Sequence, residues 1–263
     1  MAASGWRRAD VDRQRLLDDI AEAARDAGEA ILEIVRRGFE VEAKADASPV
    51  TEADRAAELI ILAALARSAP GVPVIAEEEV AAGRIPAHGS TFFLVDPLDG
   101  TKEFVARNGG FSINIGLVED RRPVLGVIHV PVKRLTYAAS GPGTATRQEG
   151  DAAPTPVAAR PPPAAGLVVA HSRSHANSAK LDAFLADLRV AERLVSGSAY
   201  KFCLIAEGTA DLYPRFGPTM EWDTAAGQAI LEAAGGSVTT MEGAPFLYGK
   251  PGFLNSHFVA RGR

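Results

Sequence analysis

Between residues 10 and 37 the apolar side chains Leu16, Leu17, Ile20, Ala24, Ala27, Ile31, Ile34 and Val35 return at helical spacing, with charged residues between them. The spacing predicts an amphipathic helix at the start of the chain. Pro49 breaks any helix entering it, and Thr51, Glu52, Ala53 and Asp54 fit a capping box ahead of the run RAAELIILAALARSA, so a second helix is expected to begin near Thr51. Then the texture changes. VPVIA, TFFLVD, SINIGLV and LGVIHV are dense in β-branched residues and bounded by turn residues, which predicts four strands.

Residues 141–166, GPGTATRQEGDAAPTPVAARPPPAAG, are rich in proline, glycine and alanine and predict a surface hairpin followed by a connector. No functional role is assigned to 152–165. Beyond them the pattern predicts a strand at LVVAHS, helices at AKLDAFLADL and SAYKFCLIAEG, a strand at ADLYPRF, a helix at DTAAGQAILEAAGG and a strand at SVTTM. The expected class is α/β, with an α+β half at 1–140 and an α/β half at 141–263. No repeat of about 20–50 residues is visible, which argues against a solenoid or propeller.

Composition narrows the function classes. The chain has 263 residues, is 47% hydrophobic and carries a formal charge of -5, so it can build a sizeable core and has no general attraction to nucleic acid or anionic lipid. An anionic ligand would have to be held locally. The single cysteine, Cys203, excludes an intramolecular disulfide and a cysteine-rich zinc site. No apolar run approaches the roughly 20 residues of a membrane span, and no signal-peptide core is present. A cytoplasmic location is expected.

Against this background the stretch VDPLDGTKEF stands out. TFFLV delivers Asp96 at a strand end, and Pro97 holds Asp96 away from helical geometry. Asp99 and Gly100 make a turn, and Thr101 starts the helix expected over TKEFVARNGG. Backbone N–H groups there suit a phosphate, and two carboxylates beside a phosphate require cations between them, for which Mg²⁺ is the fitting hard ion. Asp-Pro and Asp-Gly are also ordinary turn dipeptides, so a plain turn stays open. An EF-hand fails on spacing, and aspartyl-phosphate enzymes place their two aspartates two apart, not three. Glu77, Glu78 and Glu79 follow VPVIA and supply either a ligand or a solvated acidic face. Asp54 is a capping residue or a site residue, and Asp223 an N-cap or a ligand. His171 and His175 lack the HExxH pattern and read as surface histidines or ligand contacts, not zinc ligands.

Taken in order, KADASPVTEAD, VIAEEE, VDPLDGTKEF and EWDTAAG resemble the inositol monophosphatase superfamily of Mg²⁺-dependent, lithium-sensitive phosphatases. TKEFVARNGGFSINIGLV, HSRSH, GSAYKFCLIAEG and DLYPRFGPTMEWDTAAG look like its CysQ-type branch, the 3'(2'),5'-bisphosphate nucleotidases. The resemblance implies a layered αβαβα sandwich. It implies that Glu77, Asp96, Asp99 and Asp223, with the Leu98 carbonyl, bind two or three Mg²⁺ ions. Thr101 and Asp54 would orient and deprotonate the attacking water, and the Gly100 and Thr101 amides would hold the phosphate. Ser172, His175, Gly197 and Lys201 match substrate-contacting positions, Lys201 against a second phosphate; alone it would read as a solvated lysine. Tyr213, Pro214 and Arg215 offer another substrate wall.

The implied reaction is hydrolysis of adenosine 3',5'-bisphosphate to AMP and phosphate, in sulfate assimilation. KEF after the DGT turn tilts the reading toward a nucleotide. Inositol monophosphate or fructose 1,6-bisphosphate is the alternative substrate, the same metal centre serving each. A non-catalytic regulator binding a phosphorylated ligand is a third reading, opposed by the intact water-activating pair. A homodimer is a further implication of the resemblance.

Overall fold

The structure, a computed structural model, describes residues 12–43, 49–106, 109–172 and 178–263. Asp12 caps helix α1 (Arg13–Arg37), accepting the N–H groups of Gln14 and Arg15. A short pair of strands, β1 (Val41–Ala43) and β2 (Pro49–Thr51), leads into α2 (Glu52–Ser68). The capping box is formed: Asp54 accepts the Thr51 N–H at 2.7 Å, and Thr51 accepts the Ala53 N–H at 3.1 Å.

Seven strands come next in sequential order: β3 (Val74–Ala76), β4 (Thr91–Asp99), β5 (Ser112–Glu119), β6 (Arg122–Val130), β7 (Leu135–Ala139), β8 (Thr146–Glu149) and β9 (Thr155–Pro156). Only β3 and β4 run parallel. The sheet is covered on both sides, which explains the near-continuous apolar runs in its strands. Phe93 and Val95 of β4 face α1 and α2, while Phe92 and Leu94 face the opposite core. Two one-turn helices hang from strand ends, α3 (Glu77–Ala81) after β3 and α4 (Thr101–Val105) after β4. The helix expected over TKEFVARNGG thus ends at Val105, and glycines at 109 and 110 do not extend it.

The second sheet has the order β11-β10-β12-β14-β13, from β10 (Leu167–His171), β11 (Val190–Val195), β12 (Leu212–Arg215), β13 (Ser237–Thr240) and β14 (Phe258–Arg261). Helix α5 (Ser178–Leu185) packs Leu181 and Leu185 on one face of it, against Val169, Leu212 and Val259. Between the sheets lie α6 (Tyr200–Ala206) and α7 (Ala225–Ala233), whose Phe202, Ile205, Ile230 and Leu231 join the two into one core. The layers are therefore helix, sheet, helix, sheet, helix. Strands β8 and β9 complete the first sheet, so the change of sheet falls between Pro156 and Leu167, past the division at 141. Among the described residues no helix is long and apolar enough to cross a membrane.

One contact sets the position of α7. Gly116 of β5 lies opposite Gly126 of β6. A Cβ on Gly126 would stand 2.4 Å from the Ala226 carbonyl oxygen, and one on Gly116 would stand 2.9 Å from the Ala226 nitrogen. The glycine pair is a notch that admits the start of α7 to the sheet.

Candidate active site

On a regular strand, residues three apart point to opposite faces, so Asp96 and Asp99 would diverge. The register prevents this. Pairing steps from Asp96 opposite Asn114 to Asp99 opposite Ser112, three residues on β4 against two on β5, and this one-residue bulge re-aims the strand end. Asp96 Oδ1 accepts the Leu98 N–H at 3.0 Å and closes the turn. Asp99 Oδ2 accepts the Ala199 N–H at 2.5 Å and the Asn114 amide at 3.3 Å.

Glu77 begins α3, and Asp223 ends the 3₁₀ turn Glu221–Asp223 ahead of α7. Glu77, Asp96 and Asp223 each offer a carboxylate oxygen, all within 4.8 Å of one another. Burial, then the charges of Glu77, Asp99 and Asp223, hold the Asp96 acid well above the usual carboxylate range. Burial, then Asp99 and Glu77, raise Asp223 in the same way. Hard oxygen donors that repel one another in a partly buried corner fit a divalent cation such as Mg²⁺. The Leu98 carbonyl oxygen accepts the Thr101 hydroxyl at 3.2 Å, which ties the turn to the start of α4.

Asp54 makes the cap and also reaches the Thr101 hydroxyl. Its Oδ2 accepts the Thr51 N–H and, at 2.8 Å, the Thr51 hydroxyl, while its Oδ1 faces the Thr101 hydroxyl at 3.3 Å. The cap is what orients the carboxylate. At 2% exposure it is shielded from competing water.

Glu77, Asp99, Gly100, Thr101, Lys201 and Asp223 are among the residues lining a cavity of about 250 Å³. Lys201 is buried, not a solvated surface lysine. Its ammonium donates to the Ser196 and Ser198 carbonyls and stands 4.9 Å from the centre of the Tyr213 ring. Burial, partly countered by Asp99, lowers it to about 8. Arg215 donates to the Ser172 hydroxyl at 2.8 Å and to the Pro218 carbonyl at 3.0 Å, so Ser172 and Arg215 share one wall. Gly197 lines an adjoining cavity of about 300 Å³ that meets the first at Glu103 and Ser198. His175 lies outside the described residues, and His171 sits half-buried at the end of β10.

Sequence reasoning passed over Asn114, which holds Asp99, and Glu58, which accepts the Glu78 N–H. Each is a polar residue inside an apolar run, SINIGLV and AELIILAALA, and that incongruity was the available signal. It also passed over Glu221, fully buried, which accepts the Gly249 and Lys250 N–H groups and pairs with the Lys250 ammonium at 2.6 Å, bracing the turn that carries Asp223.

The sequence pattern of the inositol monophosphatase family matches residues 12–261. The 3'(2'),5'-bisphosphate nucleotidase CysQ of Escherichia coli (strain K12) is 44% identical over 248 residues, covering 92% of this chain and 98% of that protein. The CysQ nucleotidase of Haemophilus influenzae is 31% identical over 256 residues, 95% of this chain and 93% of that one. Among solved structures, CysQ from Bacteroides thetaiotaomicron superposes with a TM-score of 0.79 at 36% identity, covering 95% of this chain and 98% of that one. An inositol monophosphatase from Anabaena gives 0.74 at 26%, covering 94% and 90%.

Proposed function

The chain belongs to the inositol monophosphatase family, and from that premise we propose that it is a Mg²⁺-dependent 3'(2'),5'-bisphosphate nucleotidase, hydrolysing adenosine 3',5'-bisphosphate to AMP and inorganic phosphate. The observation that carries the reading is the meeting of two devices in one cavity. A carboxylate trio fit for a divalent cation lies beside a hydroxyl–carboxylate pair fit to activate water.

In this reading Glu77, Asp96, Asp99, Asp223 and the Leu98 carbonyl hold the cations. Bound Mg²⁺ supplies positive charge that offsets the carboxylates and polarises the scissile phosphate. Thr101 Oγ1 accepts a proton of the attacking water as its own hydroxyl donates toward Asp54 Oδ1, and Thr51 keeps that carboxylate from turning away. The long 3.3 Å contact is of the kind that tightens when substrate arrives. The water oxygen bonds to phosphorus and the bond from phosphorus to the 3'-oxygen breaks; that oxygen takes up a proton from solvent as Asp54 gives back to solvent the one it received. The Gly100 and Thr101 amides hold the phosphate being transferred.

Lys201 and Arg215 take the second phosphate. Both are fixed before substrate binds, the lysine by two carbonyls and the arginine by Ser172, Gly217 and Pro218, so little side-chain entropy is lost on binding. A five-donor guanidinium keeps capacity beyond those contacts. Such a pair favours a substrate with a phosphate at each end over inositol monophosphate. The reading puts the enzyme in sulfate assimilation, as the sequence resemblance implies.

Phosphate release from adenosine 3',5'-bisphosphate, inositol 1-phosphate and fructose 1,6-bisphosphate, measured in parallel with Mg²⁺ and with chelator, tests the reading. The nucleotide is expected to lead in kcat/KM by about tenfold or more, and only with Mg²⁺. A tenfold or so preference for either other substrate would overturn the nucleotide assignment. Asp96→Asn is expected to abolish turnover on all three, and retained turnover would remove its metal role.

A further inference from the structure

Helix α3 begins without a cap of its own. Ala76, the residue before it, has no side-chain acceptor, yet the strand end and Glu77 must be held in place for the carboxylate trio to form. The missing acceptor comes from another helix. Glu58 of α2, 4% exposed, accepts the backbone N–H of Glu78 on Oε2 at 2.9 Å. Glu78 is the second residue of α3, and its amide is the donor that a local Ser, Thr or Asp normally satisfies at a helix start.

Glu58 also lies four residues after Asp54, one turn on along the same face of α2. That face therefore reaches both one-turn helices: Asp54 meets Thr101 of α4, and Glu58 meets Glu78 of α3. A buried carboxyl beside Glu77, Glu78 and Glu79 is a costly choice for a purely structural contact. Burial foremost, with the neighbouring glutamate charges behind it and the Glu78 amide opposing, pushes Glu58 up to about 7. As acid or as carboxylate it keeps an oxygen for the Glu78 amide.

We propose that Glu58 is a positioning residue for metal affinity, capping α3 from α2 and so aiming Glu77 at Asp96 and Asp223. The inference rests on the reading of Glu77 as a metal ligand. Groups that orient ligands without touching the metal typically govern affinity by about 10–100-fold. Glu58 acts on the affinity of the site, whereas Asp54, on the same helix face, acts on the chemical step.

The test is direct Mn²⁺ binding to the purified full-length protein, followed by electron paramagnetic resonance of the free ion, alongside kcat at saturating Mg²⁺. Glu58→Gln keeps an acceptor and is expected to bind Mn²⁺ within about twofold of the parent, whereas Glu58→Leu is expected to bind about tenfold more weakly. At saturating Mg²⁺ the Leu variant should keep kcat within about threefold. Unchanged Mn²⁺ affinity in the Leu variant overturns the proposal, as does a Gln variant as weak as Leu, or a loss of kcat as large as the loss of affinity. Should the Leu variant not fold, Glu58→Asp withdraws the acceptor by one methylene and is expected to weaken Mn²⁺ binding about threefold; parent-like binding there overturns it equally. Glu77→Gln separates the two readings. If it leaves Mn²⁺ binding unchanged, the ligand assignment itself fails; if it weakens binding while Glu58→Leu does not, only the cap fails.

Discussion

At the scale of single residues, the Thr101–Asp54 pair is where a local rule and a proposed catalytic role coincide. Asp54 was legible as a capping residue because the physics of a cap spans four positions, and its second oxygen became available to Thr101 only through folding. Removing the hydroxyl by Thr101→Ala is expected to lower kcat by about 10²–10⁴-fold with KM little changed, while Thr101→Ser retains part of the rate. Steady-state kinetics on the bisphosphate nucleotide checks this, and a pure KM effect would assign Thr101 to binding alone. His129 offers a stability counterpart away from the site. It is 7% exposed, its Nδ1 lies 2.9 Å from the Thr136 hydroxyl, and burial with Arg25 lowers it from 6.5 to about 4. Because the folded pKa is depressed, the unfolded chain binds the proton first, so this contribution is present above pH 6.5 and is lost as pH falls toward 4. Relative to the untitratable His129→Gln, the parent should lose about 3 kcal/mol across that window in urea titrations. Parallel profiles for the two proteins would exclude the histidine as the cause.

Elements place these residues by means that the chain shows only in part. VDPLDGTKEF displays its two aspartates plainly, but their odd spacing converges only because β4 carries one more residue than β5 across the bulge. Asp223 depends likewise on α7, whose approach depends on Gly116 and Gly126. Gly126→Ala would press a methyl into the Ala226 carbonyl and is expected to destabilise the fold by about 1–3 kcal/mol, since the obstacle is backbone and cannot rotate aside. The same change should weaken metal binding by displacing the turn before α7, and the two effects are read by denaturant melts and Mn²⁺ titration. A variant as stable and as tight as the parent would show that the notch has slack. Strands β7, β11 and β14 escaped the sequence reading for different reasons. β11 is a charged edge strand with four exposed residues, VAERLV lacking the alternation of a half-buried strand, whereas β7 and β14 are short and recognisable only by their partners.

The whole molecule carries a charge problem that a bound divalent cation would solve. The acids of Asp96 and Asp223 are raised by burial and by the carboxylates around them, so the metal-free folded chain holds protons that the unfolded chain releases. Their contribution to stability is fully present below the ordinary value of 3.8 and is lost as pH rises through the raised folded values. Mg²⁺ competes with those protons, so the gain in Tm on adding Mg²⁺ should grow from acidic to neutral pH. At a free concentration about one hundred times Kd, one ion contributes about 2.7 kcal/mol, or roughly 5–10 °C for a chain of this size. Thermal melts in Mg²⁺ and in chelator at several pH values measure this. A gain that shrinks as pH rises would contradict the assignment of these carboxylates to the metal.

What the chain determined alone is what short-range physics can write: an amphipathic first helix, a capped second one, the apolar strands of the first sheet, a turn bearing paired aspartates, and motifs ordered as in one phosphatase family. Only the tertiary structure decided that Lys201 is buried over Tyr213, that Asn114 and Ala199 hold Asp99, and that Glu58 reaches α3. Each of these joins residues distant in the sequence, and the choice among partners is made by packing. A cap or a strand run is stabilised within a few residues and leaves its mark there. A buried lysine or a cap supplied from another helix is stabilised by what arrives from elsewhere, and its own neighbours in sequence do not name that partner.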